Sequence, residues 1–245
     1  MNSLICISHV PDTTTKIKFT EDGTALDKNG VTFVINPYDE FGLSRALEFR
    51  EGGIEGEITA LCVGSAEVEP TLRKALAVGA DKAIRVDAEP TDALFVAKQI
   101  AEHVKANDYQ LVWLGKESID NNGAEVPGMV AELLGWPFVS YATKVEVDGG
   151  KVMLEREIDG GVEKLEADMP VVISTQKGVA EWRIPNMRGI MAAKRKPLEV
   201  VEAASAEKLT ETVHYELPPP KPGVKMLEEG DVDSIVDILV KAGAL

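Results

Sequence analysis

Basic residues, cysteine and histidine are scarce in this chain, and each shortage excludes a class of function. Its 245 residues carry 26 Lys and Arg against 41 Asp and Glu, a formal net charge of −15. A nucleic-acid surface needs clustered cations to meet phosphates, and adhesion to anionic lipid needs the same, so neither is expected as a main role. Cys6 and Cys62 are the two cysteines, both inside apolar runs (LICISHV and ITALCVG), so there is neither a disulfide framework nor a CxxC site. His9, His103 and His214 stand in unrelated contexts and offer no metal-ligand spacing. All five residues are expected in core packing.

Recognisable catalytic chemistry is missing as well. No P-loop is present, no GxGxxG follows a strand-like run, and no GxSxG elbow or His-paired nucleophile can be found. No apolar run is long enough to span a membrane. Met1 to Val10 has no basic n-region and no cleavage site, so it reads as a core strand rather than an export signal. The expected location is the cytoplasm, or the mitochondrial matrix if the source is eukaryotic.

What is present is an ordinary globular composition, 44% hydrophobic and 27% charged, in a chain long enough to bury a sizeable core. Apolar strand-like runs alternate with helical periodicity through the first two thirds. Leu4 to Ser8 opens as a strand, and an excursion turning at Asp22-Gly23 follows as a hairpin. Asn36-Pro37 starts a helix over Tyr38 to Arg50. Strands at Glu57–Gly64 and Lys82–Val86 alternate with helices at Glu69–Val78 and Asp92–Ala106. This grammar predicts an α/β fold, a doubly wound and mostly parallel sheet covered on both faces, with ligands at the carboxyl ends of the strands. From Tyr141 the period changes to 2, broken by Asp148-Gly149-Gly150 and Asp159-Gly160-Gly161, which predicts an antiparallel meander returning to a buried strand at Val171–Ser174.

Residues 1–200 are expected to form this nucleotide-binding α/β domain, and 201–245 a C-terminal tail. In the tail, Pro218, Pro219, Pro220 and Pro222 read as a stiff linker. A last helix, Asp231 to Ala242, carries Val232, Ile235, Val236, Leu239 and Val240 on one face, which must cover something and is expected to cover another chain.

The stretch LVWLGKESIDNNGAEVPGMVAELLGWP, Leu111 to Pro137, is the most informative. It reads as a buried strand, a polar loop from Gly115, and a helix entered at Asn121 to Ala124 and stopped by Gly135. A loop leaving a strand and opening a helix presents free backbone N–H groups and the positive end of the helix dipole to an anion, most often a phosphate, although well-capped connections of this shape also occur without a ligand. One local reversal of charge stands out: Arg183, Arg188, Lys194, Arg195 and Lys196 lie between Glu181 and Glu199 with no acid among them. That segment suits either a protein docking surface or a solvated helix end.

Three segments together resemble the beta subunit family of electron transfer flavoproteins, a family that also includes nitrogen-fixation-associated homologues. They are GKESID…GMVAELLGWP; LEREIDGGVEKLEADMPVVIS at Leu154–Ser174, similar almost position for position to the family's signature block; and PNMRGIMAAKRKP at Pro185–Pro197, similar to its partner-recognition loop. INPYDEFGLSRALE and ALAVGADKAIRV fit too, and the likeness runs from about Ser3 to Val201.

The resemblance implies an electron carrier subunit rather than an enzyme. It would pair with a large alpha subunit that holds most of a redox-active FAD, and would itself bury AMP or, in electron-bifurcating members, a second FAD. Reduced flavin dehydrogenases, such as the acyl-CoA dehydrogenases of fatty acid beta-oxidation, would be donors, and a membrane-bound quinone oxidoreductase the acceptor. Carried over by position, the nucleotide contacts are Cys6, then Asn36, Pro37, Tyr38 and Asp39, then Val63, then Gly115, Lys116, Glu117, Ser118, Ile119, Asp120, Asn121, Asn122, Gly123, Ala124, Glu125 and Val126.

Many members place Asn-Gln-Thr where Ala124, Glu125 and Val126 stand, so a phosphate here would rely on main-chain amides between Asp120 and Val126. Ala-x-Val, like Pro11-Asp12-Thr13, is closer to bifurcating members, and AMP and FAD both remain open, AMP being the commoner. In the recognition loop, over 181–196, the family's exposed leucine anchor is matched by Met187. Arg188, Ile190, Met191, Lys194 and Arg195 form the rest of the implied docking surface. A stand-alone adenine-nucleotide-binding protein would share the sheet logic but leave that segment without a purpose, and an adenylate-forming or ATP-splitting enzyme on a related sheet would need a Gly-rich phosphate motif, which the sequence lacks.

Overall fold

The computed structural model describes residues 1–221, 223–224 and 226–245. Its first half reads β1 (Ser3–Cys6), β2 (His9–Pro11), β3 (Phe33–Ile35), α1 (Pro37–Glu51), β4 (Ile58–Val63), α2 (Glu69–Val78), β5 (Lys82–Asp87), α3 (Ala93–Lys105), β6 (Leu111–Gly115) and α4 (Val126–Leu134). The second half adds β7 (Phe138–Asp148), β8 (Lys151–Ile158), β9 (Gly161–Asp168), β10 (Val171–Thr175), α5 (Met187–Ala193), β11 (Leu198–Glu202) and α6 (Val232–Lys241).

The local signals explain these elements. β1, β4, β6 and β10 are buried at every position, which is why their sequences are near-continuous apolar runs rather than alternating ones. Pro37 opens α1, where its missing N–H costs nothing. The Asp92 side chain caps α3 by accepting from Phe95 N, and Gly135 ends α4 in the left-handed conformation.

Nine strands pair in the order β11-β5-β4-β1-β6-β10-β7-β8-β9. From β11 to β7 every neighbour is parallel, and β7, β8 and β9 close the sheet as an antiparallel meander. One face carries α1 and α2 over a core that includes Leu43, Leu47, Leu72, Leu76, Trp113 and Ile173. The other carries α3 and α4 over Leu4, Leu61, Ile100, Val104, Val112 and Val130. The chain leaves β1 for β4 and β5 on one side and returns on the other side of β1 as β6. The strand order therefore reverses between β1 and β6, and a crevice opens at their carboxyl ends.

Several expectations need correction. The helix after β6 begins at Val126, not at Asn121 to Ala124, because Asn122 (φ 53°) and Ala124 (φ 55°) hold the left-handed conformation and cannot propagate a right-handed helix. The polar stretch after Lys196 contains an unanticipated strand, β11, which adds to β5 along the far edge of the sheet. His214 is exposed, and His9 and His103 are half-buried, so only the two cysteines are core residues. His9 stacks on Phe33 (ring centroids 4.3 Å) and His103 meets the Tyr109 hydroxyl at 3.2 Å, so each imidazole has a polar or aromatic partner instead of an apolar shell.

The excursion after β2 is hairpin-like, with Phe19 bridging Leu26 and Gly23 at φ 68°. The chain beyond β11 follows the body at first: Ala204 exchanges two hydrogen bonds with the Gln99 side chain, and Tyr215 stacks on Phe19 at 5.1 Å. Pro218, Pro219 and Pro220 are exposed, and Pro222 lies outside the described residues. Among the described residues no helix is long and apolar enough to cross a membrane.

Candidate functional site at the carboxyl ends of the strands

Asn36 and Asp39, from the start of α1, organise the crevice. The Asp39 carboxylate accepts from Ser8 N (2.7 Å) beyond β1, from Gly115 N (2.7 Å) at the end of β6, and from the Asn36 amide (3.0 Å). Asn36 in turn donates to Glu117 O (2.9 Å) and accepts from Ile119 N (3.2 Å), so it holds the loop after β6. Both side chains are buried, Asn36 completely. Burial pushes the Asp39 carboxyl up to about 7, while its donors, the Ser8 amide foremost, pull the other way. Gly115 is required at the junction: a Cβ there would stand 2.4 Å from Asp39 Oδ1 and 2.7 Å from Asn36 Nδ2.

Loop 116–125 runs from this anchor to α4. Asn122 N donates to Ser118 O (2.8 Å), and the chain then passes through the two left-handed residues, Asn122 and Ala124. Among the described residues, the amides of Gly123, Ala124, Glu125 and Val126 have no intramolecular acceptor. Asp120, Asn121, Asn122, Gly123 and Glu125 are exposed; Ser118, Ile119, Ala124 and Val126 are half-buried. Free amides in a left-handed turn running into a helix N-terminus make a cradle for an anion, and no side-chain cap competes for them. Lys116 pairs with Glu117 (3.2 Å) and lies over the Tyr38 ring (4.8 Å), so its charge is already engaged.

Hydrogen bonds therefore tie Asn36, Asp39, Gly115, Glu117 and Ile119 into one cluster, and Pro37 and Tyr38 ride on the same first turn. Cys6 and Val63 end β1 and β4 and belong to the apolar cluster of the α3–α4 face. Burial raises the Cys6 thiol well above its ordinary value and takes Cys62 to about 12, so both stay protonated and neither is a nucleophile.

Sequence reasoning missed Ser8, Thr175 and Tyr141. Thr175 Oγ1 donates to Tyr38 O (2.7 Å) and lies 3.0 Å from Leu114 O, which ties α1 to β6. Tyr141, at φ 55°, donates its amide to Ser174 Oγ (2.9 Å). The one signal for Thr175 was a polar Ser-Thr pair closing an otherwise apolar strand. A cleft of about 430 Å³ opens at the same end of the sheet, lined by His9, Lys28, Phe33, Glu67, Thr71 and Lys74. Its lysines already meet acids, Lys28 with Glu67 and Lys74 with Glu40. Among the described residues, no cluster of His, Cys, Asp and Glu suits a metal.

The second predicted surface lies elsewhere. Met187, Arg188, Ile190 and Met191 stand on α5, with Lys194 and Arg195 just past its end, and all are exposed. α5 packs beside the C-terminal turn of α2, the turn that feeds β5, so it sits at the amino ends of the strands. The crevice and the α5 surface thus occupy opposite ends of the sheet, on the order of 20 Å apart for strands of this length.

Comparison with known proteins supplies the remaining observation. Residues 24–206 match the family model described as electron transfer flavoprotein domain. The chain is similar to the electron transfer flavoprotein subunit beta of Syntrophomonas wolfei, with 38% identity over 231 residues, 94% of this chain and 91% of that protein. It is also similar to the subunit beta of Bacillus subtilis, at 34% identity over 93% of this chain and 92% of that one. A mitochondrial subunit beta from Arabidopsis thaliana is 36% identical over 81% of this chain and 80% of that protein.

Proposed function

We propose, from the premise that this chain belongs to the electron transfer flavoprotein family as a beta subunit, that it buries an adenine nucleotide in the crevice between β1 and β6. In doing so it completes a heterodimeric electron carrier with an alpha subunit. The observation that carries the nucleotide reading is the run of four unengaged amides, Gly123 to Val126, placed by the Asn36–Asp39 hub at the reversal of strand order.

The residues present fit an adenine nucleotide. The amides would take its phosphate, with Cys6, Val63 and Asn36 to Asp39 walling the rest. Glu125 is exposed beside these amides and disfavours a bare, highly charged phosphate, so a monophosphate or an esterified diphosphate suits the turn better than a triphosphate. AMP is the first choice. A second FAD is the other occupant, favoured by the absence of side-chain donors at Ala124 and Val126. A flavin shared with the alpha subunit supplies the redox chemistry when bound; this chain contributes enclosure, orientation and field.

The α5 surface is the docking site for flavin dehydrogenases, with Met187, 73% exposed, as an adaptable apolar anchor at the start of the helix, Arg188 next to it in sequence, and Lys194 and Arg195 just past the helix end. Electrons then pass on to a quinone oxidoreductase. The tail beyond residue 201 lays α6 on the alpha subunit. α6 has no buried residue yet carries Val232, Ile235, Val236, Leu239 and Val240, and so short a helix gains its stability from a surface to cover.

The test is co-expression with the alpha subunit, followed by acid release and mass analysis of bound nucleotides. One AMP and one FAD per heterodimer is the expected result, and two FAD would assign the bifurcating arrangement. A folded heterodimer holding only one flavin and no second nucleotide would overturn the reading.

A further inference from the structure

The geometry points to Arg73 and Lys196 as positioning residues that set the orientation of the docking helix from outside the docking surface; this rests on the reading of α5 as that surface. Arg73, on α2, donates from Nη1 to Ala193 O (2.9 Å) and Lys196 O (2.7 Å), at the end of α5 and the chain just beyond it. Lys196, just past α5, donates from Nζ to Leu76 O (3.0 Å) and Ala80 O (2.5 Å), at the end of α2. Each helix therefore ends on a cation sent by the other's segment, where its last carbonyls are unsatisfied and its dipole is negative. Both side chains are half-buried, and although burial lowers the Lys196 ammonium from its ordinary value, its two carbonyl acceptors fix where it sits.

Two further contacts fix the seat. A Cβ at Gly189 would fall 2.3 Å from Ala77 O, so α5 lies directly on the α2 backbone with no side chain between. At the start of the segment Arg183 grips Glu51 at 2.6 and 2.8 Å.

A helix of seven residues is not stable alone, and here it has little core of its own, because Ala193 is its one buried residue among those described. Polar clamps take the place of an apolar underside. The consequence is that Ile184, Met187 and Met191, at 76%, 73% and 57% exposure, all remain available to a partner. A surface held ready in this way avoids an ordering cost on binding, which lets a small contact area bind well enough to serve.

The experiment uses the full heterodimer with a purified, substrate-reduced acyl-CoA dehydrogenase as probe. Arg73→Met and Lys196→Met are each expected to speed hydrogen exchange of the α5 amides about tenfold, as losing one or two charged donors implies, while β1, β4 and β6 stay protected. Each should raise KM for the carrier several-fold with kcat unchanged, and Arg73→Lys should recover most of both effects. Unchanged exchange in α5 for both Met variants overturns the clamp. Faster exchange with KM unmoved, while Met187→Ala does raise KM, overturns the positioning role. If Met187→Ala also leaves KM unmoved, the docking reading falls, and this inference with it.

Discussion

Asp39 accepts from three nitrogens that come from β1's exit, β6's end and α1's own cap, and replacing its second oxygen with an amide would set N–H against N–H. Asp39→Asn is therefore expected to cost about 1–3 kcal/mol in urea unfolding. The pH dependence has a definite sign. A carboxyl raised from 3.8 to about 7 in the folded state binds its proton more tightly there than in the unfolded chain. Its contribution is thus fully present below the unfolded value and is lost as pH rises through about 7. Unfolding of the parent chain at several pH values should show that decline, and Asp39→Asn should remove it. Ala124, at φ 55°, holds the left-handed conformation without a branch at Cβ, which would add steric strain there. Ala124→Val should cost about 1–2 kcal/mol, read by the same unfolding, and should weaken retention of the nucleotide. The sequence showed which residues cluster near the loop but not this hub, since Asp39 and Gly115 lie 76 positions apart and no local pattern records their pairing.

Strands and helices whose burial is two-sided or strictly one-sided were legible, because the apolar period is the direct imprint of the face they cover. β4, α2 and α3 fall where Glu57–Gly64, Glu69–Val78 and Asp92–Ala106 predict them, and the meander turns at its Asp-Gly-Gly sites. β11 was hidden because an edge strand needs no apolar run: Glu199, Val200 and Glu202 are exposed, and its hydrogen bonds to β5 depend on the backbone alone. The start of α4 was misplaced because Asn-Gly-Ala reads as a good cap in one dimension, while the chain uses it as a left-handed bend. Contact between elements can be equally specific. α1 meets β6 at Gly42, where a Cβ would lie 3.1 Å from Trp113 Cβ. Gly42→Leu should lift α1 from the sheet at a cost of about 1–3 kcal/mol in urea unfolding, and because α1 carries Asn36 and Asp39, the crevice should loosen with it.

At the level of the whole molecule, the two predicted surfaces separate cleanly, the candidate crevice at the carboxyl ends of the strands and α5 at the amino ends. Variants in one should leave the other intact, so additive effects are expected when Ala124→Val and Met187→Ala are combined. The tail is a third unit. Deleting residues 226–245 removes α6, which contributes no buried residue, so the urea midpoint of the isolated chain should hold while co-purification with the alpha subunit is lost. Neither surface was predicted from composition, which gave only an acidic globular chain; the α/β grammar came from apolar periodicity, and both predicted surfaces from motifs and the resemblance they carry. At the outer margin, β9 presents a row of main-chain groups that no further strand among the described residues pairs; its Glu163 and Glu166 are ion-paired with Arg156 and Lys151 of β8, and Lys164 and Asp168 share the same strand. An unpaired margin invites identical molecules to stack edge to edge, and the formal net charge of −15 on each copy opposes that approach. That guard is electrostatic and fades as added salt shortens its reach, so concentrated solutions of this subunit should clump first at high ionic strength.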